Sequence, residues 1–315
     1  MRLLLCLVAS LLGILAAACS SDDADPGMLR VVATTTQIGD FARNAGGDRI
    51  SLTVLLKPNQ DAHDFEPEPS QLRALSQADV VLRNGIGLDA FVSKALQESS
   101  AKVIAVTGGL DLLEGEAHAE EAGEEHDEEA EAEAGGYDPH VWFSVANAGK
   151  MVESIRDALG EADAANASYY ATNATAYLTS LSQLDKGIKA QVATIPAGCR
   201  KLVTNHDVLG YYAQAYGFEV VGSVIPATTT GAQASAAGVA DIVRKIRAER
   251  VPAIFAEASG NPALIQQVGR EAGVKVVDDL YGDSLGEPGS EGATYIAMME
   301  SNTRKIVEGL KGCLV

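Results

Sequence analysis

Eight short apolar runs, at 29–33, 50–56, 80–83, 103–106, 201–204, 219–224, 253–256 and 275–277, alternate with helical periodicity, four in each half of the 315-residue chain. Strands that are apolar on both faces must be covered on both. Strands separated by a helix's length of chain pair in parallel. The spacing therefore predicts βαβ units and two buried parallel sheets, an α/β fold. Between the halves, 166–195 has no proline and one glycine, and Tyr170, Ala174, Tyr177, Leu181, Leu184 and Ile188 recur at three- and four-residue steps. That pattern predicts one long amphipathic helix linking two lobes, 29–165 and 196–315. Its early Asn, Thr and Ser residues lower helix propensity, so packing must support it.

The N-terminus reads Met1-Arg2, an apolar stretch over 3–18, then Cys19-Ser20-Ser21 and an acidic tether to residue 28. A positive start, an apolar segment short for a bilayer and a small-residue exit describe an export signal over 1–18. Cleavage before Cys19 leaves the cysteine that bacterial lipoprotein processing acylates. Ala16-Ala17-Ala18 also fits ordinary A-x-A secretion, which would leave a periplasmic protein. The position of the cysteine and the polar tether after it favour a lipid anchor on the outer side of the cytoplasmic membrane. Besides Cys19, the mature chain keeps Cys199 and Cys313. In an oxidising compartment these read either as a disulfide, the favoured expectation, or as two buried thiols.

The formal net charge of −19 is concentrated in 114–136, where eleven acids alternate with Ala and Gly. That segment has nothing large to bury and is expected to be a mobile surface loop. The remainder is mildly acidic, which argues against nucleic acid as a partner.

Three of the five histidines sit beside acids in similar contexts: Asp61-Ala62-His63-Asp64, Asp138-Pro139-His140-Val141-Trp142 and Thr204-Asn205-His206-Asp207. The other two, His118 and His126, lie in the acidic run and are weak candidates for gathering metal. Imidazole is the commonest protein ligand for transition metals, and a nearby carboxylate fixes which ring nitrogen holds the proton. His63, His206 and Asp283 all come after predicted strands, and ligands of open α/β sheets bind beyond the carboxyl ends of strands. Three imidazoles and one carboxylate, His63, His140, His206 and Asp283, would suit tetrahedral zinc.

Taken in order, Asp61-Ala62-His63-Asp64-Phe65-Glu66-Pro67, Asn84-Gly85-Ile86-Gly87-Leu88, Asp138-Pro139-His140-Val141-Trp142-Phe143, His206-Asp207-Val208-Leu209-Gly210-Tyr211-Tyr212, Ile254-Phe255-Ala256-Glu257 and Asp283-Ser284-Leu285 run through the mature chain. The ending Ser290-Glu291-Gly292-Ala293-Thr294-Tyr295 completes the set. In these motifs the chain resembles the zinc/manganese substrate-binding proteins of bacterial ABC importers, which include adhesin-like lipoproteins. The resemblance implies two Rossmann-like lobes bridged by a rigid helix, metal between them at positions matching His63, His140, His206 and Asp283, and delivery to a membrane permease. A metallochaperone is a candidate further partner, and a monomer is expected. Manganese members commonly place Glu where His206 stands, so the three histidines favour Zn²⁺ over Mn²⁺.

Asp61, Asp64, Asp138 and Asp207 are candidates to accept a proton from a ligand imidazole. Asp207 is equally a candidate cap for the helix through Tyr211-Tyr212. Glu257 either faces the cleft or bonds to amides of the turn after it. Trp142, the single tryptophan, is expected to pack beneath His140. Two competing functions are an exported zinc hydrolase with Glu257 as general base, and an adhesin whose metal is structural. Asp283 argues against the first, because it closes the coordination position that a catalytic metal keeps open. A carrier must also stay folded when empty, unlike a protein whose metal is structural.

Overall fold

Strands β1 (Leu29–Ala33), β2 (Ile50–Val54), β3 (Val80–Arg83) and β4 (Lys102–Ala105) form a parallel sheet in the order β2-β1-β3-β4. Strands β5 (Lys201–His206), β6 (Glu219–Ile225), β7 (Ala253–Glu257) and β8 (Lys275–Leu280) form a second in the order β6-β5-β7-β8. This computed structural model describes residues 27–97, 99–115, 136–225, 234–259, 262–311 and 313. The export signal, the tether with Cys19 as far as residue 26, and residues 116–135 of the acidic segment with His118 and His126 lie outside them. Both sheets are wound alike, and each reverses its winding direction beside its first strand, at β1/β3 and at β5/β7. In open parallel sheets the loops part at such a point and leave a crevice at the carboxyl ends.

Helices α1 (Thr36–Gly46), α2 (Pro69–Gln77), α3 (Ser93–Gln97) and α4 (Val145–Ala162) belong to the first lobe. Helices α6 (Gly210–Tyr216), α7 (Ala236–Ala248), α8 (Ala263–Ala272) and α9 (Tyr295–Leu310) belong to the second. Between them runs α5 (Ala167–Val192), 26 residues long, whose buried face comprises Tyr170, Ala174, Tyr177, Leu181, Leu184, Ile188 and Val192. The apolar stripe of the sequence is thus the packed face. Thr172, Thr175, Thr179 and Ser180 lie off that stripe and donate their hydroxyls to carbonyls four residues back. Hydroxyls that compete with helix formation elsewhere are accommodated in this way. The helix packs against α1, α4 and α9, elements of both lobes.

One continuous core runs from Val31, Phe41 and Trp142 through the buried face of α5 to Phe255, Tyr295 and Leu310. Smaller clusters cover the outer faces of the two sheets, around Val81 and Leu75 in the first and around Ile254 and Val268 in the second. The lobes therefore share their main apolar core, and separating them would expose it.

Cys199 and Cys313 are joined in a disulfide, their Cα atoms 6.0 Å apart. It ties the start of the second lobe to the segment after α9. Glu114 and Tyr137 form an antiparallel bridge that brings together the two ends of the acidic segment. Among the described residues, no helix is long and apolar enough to cross a membrane.

Candidate metal centre

Each histidine is delivered by a local device. His63 comes after β2 in the first lobe, and its backbone N–H donates to Asp61 Oδ1 at 2.9 Å. Asp138 Oδ1 accepts the backbone N–H of His140 at 2.9 Å in the same way. Aspartate two residues before the histidine thus makes the same turn twice. His206 instead ends β5, where Thr204 Oγ1 donates to its carbonyl at 2.6 Å. Asp283 lies beyond β8 and its bulge: Phe255 pairs with Val277 but Glu257 with Leu280, so β8 carries one extra residue. Asp279 takes up the distortion with φ of 64°. A bulge bends its strand and re-aims the residues beyond it, and here it turns the chain toward the crevice.

The four side chains meet. One ligand atom from each of His63, His140, His206 and Asp283 lies within 4.8 Å of all the others, with His63 partly exposed and the remaining three buried. His140 Nε2 stands 3.3 Å from His63 Nε2 and 3.4 Å from His206 Nε2. Asp283 Oδ1 is 3.2, 3.7 and 3.9 Å from the Nε2 atoms of His140, His63 and His206. Neither carboxylate oxygen of Asp283 has a hydrogen-bond partner, although both are buried. These four residues are the single group of this kind among the described residues.

Behind the imidazoles are carboxylates. His140 Nδ1 lies 2.7 Å from Asp138 Oδ1, and His206 Nδ1 lies 2.9 Å from Glu257 Oε1. An ionised carboxylate only accepts, so both Nδ1 atoms carry protons and both Nε2 atoms face inward, free to offer a lone pair once the ring is neutral. Two glycines make room for these partners. A Cβ on Gly210 would lie 2.8 Å from Asp138 Oδ2, and one on Gly282 would lie 2.6 Å from Glu257 Oε2.

Burial and pairing set the charge states. Burial pulls the His140 imidazolium down, but Asp138 and Asp283 outweigh it and push the ring up to about 10. Burial opposes the charged form of His206 too, and there Glu257 and Asp283 prevail and raise it. Burial would push the Asp283 carboxyl up, yet the surrounding imidazoles of His63, His206 and His140 hold it well below its ordinary range.

The expected supporting residues separate clearly. Asp138 and Glu257 contact ring nitrogens, and Trp142 lies against the His140 ring at 5.4 Å between centroids. Asp61 bonds to the backbone of His63. Asp64 is exposed, and the carboxylates at imidazole nitrogens are Asp138 and Glu257. Leu209 occupies the N-cap position of α6, and the carboxylate at His206 Nδ1 is Glu257 rather than Asp207. The supports not anticipated are more distant in sequence. Asp89 is buried and accepts from Thr34 Oγ1 and the N–H groups of Asn84 and Gly85. It organises a turn in which Ile86 is forced to φ of 56°, a strained value for a β-branched residue. Asn84 Nδ2 then donates to the carbonyl of Pro139, the neighbour of His140, at 3.1 Å. Only the proximity of Asn84 to paired glycines hinted at this.

The family model described as "Zinc-uptake complex component A periplasmic" (ZnuA) matches residues 31–309. The manganese-binding lipoprotein MntA of Halalkalibacterium halodurans is 33% identical over 309 residues, covering 96% of this chain and 97% of that protein. The manganese ABC transporter substrate-binding lipoprotein PsaA of Streptococcus anginosus is 31% identical over 316 residues, covering 98% and 97%. Among solved structures, the periplasmic zinc-binding protein TroA of Treponema pallidum superimposes with a TM-score of 0.78 at 27% identity, covering 90% of this chain and 99% of that one. The Mn-bound periplasmic metal-binding protein of Candidatus Liberibacter asiaticus does so with 0.76 at 25% identity, covering 89% and 98%. The chain belongs to this zinc-uptake component A family and is an extracytoplasmic metal-binding, substrate-binding protein of an ABC transporter.

Proposed function

We propose that the protein, lipid-anchored through Cys19, captures Zn²⁺ with His63, His140, His206 and Asp283 and passes it to its membrane permease. One observation carries the proposal: three inward-facing imidazole Nε2 atoms crowd around a buried carboxylate whose two oxygens have no hydrogen-bond partner. Without a metal such a cluster must be balanced by protons on the imidazoles, and a divalent cation can take their place. A tetrahedral ion with bonds of about 2.0–2.1 Å holds its donor atoms roughly 3.3 Å apart. Three of the spacings, 3.2, 3.3 and 3.4 Å, fit that figure. The nitrogen-rich donor set favours zinc, and the usual affinity order places zinc above manganese at equilibrium.

Manganese is the second reading. The two unpartnered oxygens of Asp283 could both bind and raise the coordination number toward what manganese prefers. A hydrolase is disfavoured, because Glu257, its candidate base, is engaged by His206 Nδ1 and backbone N–H. Metal analysis of protein from its native compartment, paired with competition titration of zinc against manganese, tests the proposal. Zinc should be recovered at one ion per chain and should displace manganese. Recovery of manganese, with zinc unable to compete at its availability there, would refute the zinc assignment. Failure of the His206→Ala protein to lose affinity would refute the site.

A further inference from the structure

The segments carrying the ligands are fastened across the cleft. The first lobe supplies His140 in the stretch 138–142, and two second-lobe tyrosines hold that stretch. Tyr211 on α6 donates its hydroxyl to the carbonyl of Asp138 at 3.0 Å and accepts the N–H of Leu113 at 3.0 Å. Tyr295, the first residue of α9, donates to the carbonyl of Trp142 at 2.7 Å. Its own N–H donates to Asp40 Oδ2 at 3.1 Å, an oxygen that also accepts from Tyr177 on the linking helix. One buried carboxylate of α1 thus gathers the linking helix and the start of α9.

The converse holds for Asp283. The second lobe supplies it in the stretch 282–285, and three first-lobe groups hold that stretch. Gln37 Nε2 donates to the carbonyl of Gly282 at 3.4 Å, and Thr36 Oγ1 accepts the N–H of Leu285 at 2.8 Å. The N–H of Asn59 donates to the carbonyl of Leu285 at 3.0 Å.

We infer that each lobe positions the metal-facing segment supplied by the other, with Tyr211, Tyr295 and Gln37 as positioning residues, so that the ligand set is complete only while the lobes are docked. The inference rests on the metal site proposed above. Physically, loops carrying ligands would otherwise be free to sample several arrangements, and fixing them beforehand favours the bound state. A small shear between the lobes breaks both sets of bonds together. It would loosen His140 and Asp283 at once, which allows release without a wide hinge. Such a motion suits a molecule whose lobes share one core and one linking helix.

The test uses the full mature chain loaded with zinc, chased with excess chelator, and loaded with Co²⁺ for its visible spectrum. Tyr295→Phe keeps the ring and removes only the hydroxyl, and Tyr211→Phe does the same. Gln37→Met removes the donor with similar bulk. The Tyr211→Phe/Tyr295→Phe protein should release zinc on the order of tenfold faster than the parent, with an altered Co²⁺ spectrum. Gln37→Met should change both observables in the same direction. Should the double variant fold poorly, Tyr295→Phe alone carries the test. Release within about twofold of the parent together with an unchanged Co²⁺ spectrum, whatever the melting temperature does, would overturn the inference. That result with His140→Ala still abolishing Co²⁺ absorption would leave the site proposal standing. Loss of the distinction between parent and His140→Ala would sink both.

Discussion

The imidazoles of His140 and His206 are built in, whereas that of His63 stands at the rim. His140 and His206 are fully buried, each with Nδ1 against a carboxylate from its own lobe. The side chain of His63 retains 8% exposure, and the neighbouring aspartate holds its backbone. If these residues bind the ion as proposed, the two built-in imidazoles are expected to define the centre and the rim imidazole to admit or release the ion.

Removing a ligand should therefore cost most where the ligand is fixed. His140→Ala or His206→Ala would leave Asp138 or Glu257 buried without its imidazole and a void that the surroundings cannot fill. Loss of zinc affinity beyond the roughly 100-fold that marks the removal of an outer partner is expected. His63→Ala should cost less, because water can reach the vacated position and coordinate in its place. Competition against a chromophoric chelator ranks the three. Equal losses would break the distinction between fixed and rim ligands.

Next in size are the carboxylates behind the fixed rings. Glu257→Gln and Asp138→Asn keep shape but weaken the pull on the Nδ1 proton, and each should lower affinity by about tenfold. Asp64→Asn, at an exposed residue, should leave affinity unchanged within error. If Asp64→Asn weakens binding as much as Glu257→Gln does, the assignment of outer partners is wrong. Calorimetric titration of zinc on the three variants decides it.

These differences also mark where sequence was sufficient. All eight strands and the buried face of α5 were legible, because a continuous apolar run and a 3.6 period are both set by burial acting on contiguous residues. Asp138 was legible as a partner of His140, since the turn needs it two residues earlier. Glu257 was open and Asp207 misleading, because the partner of His206 comes from an adjacent parallel strand rather than from adjacent sequence. Strand order β6-β5-β7-β8 brings residues 206 and 257 side by side, and no local pattern encodes that order. Tyr211, Tyr295 and Gln37 were not foreseen as supports for the same reason. Each acts across the cleft, and its polar atom is read locally as an ordinary buried or capping group.

Acidity should erode binding gradually, and through the imidazoles. With His140 raised to about 10, the metal-free protein holds a second proton on that ring at neutral pH, and His206 is shifted in the same direction. For His140 this pairing stabilises the metal-free fold fully below the ordinary imidazole range, and the contribution is lost as pH rises through about 10. Zinc must displace those protons, so affinity rises with pH and binding near pH 7 releases protons. Asp283, held well below its ordinary range, stays ionised through the same window and contributes little to the slope. Calorimetry in buffers of different ionisation enthalpy measures the release. The protons released are those on Nε2, since Asp138 and Glu257 keep the Nδ1 protons in place, and binding without proton release at pH 7 would contradict the raised imidazole of His140.

The smallest effect on metal should come from the far end of the second sheet. Cys199 lies just before β5, at the opposite end of the strand from His206, and Cys313 lies after α9, at the opposite end of that helix from Tyr295. The disulfide closes a sequence separation of 114 residues. Cross-links over loops of this size stabilise by roughly 2–5 kcal/mol, mainly through the unfolded chain. Cys199→Ser/Cys313→Ser should then melt on the order of 10 °C lower. Zinc affinity should stay within about twofold of the parent, since no ligand or outer carboxylate is held by either cysteine. A large loss of affinity in the folded variant would mean that the amino end of the sheet transmits strain to the carboxyl end. The centre would then depend on the whole lobe rather than on the bonds within and across the cleft.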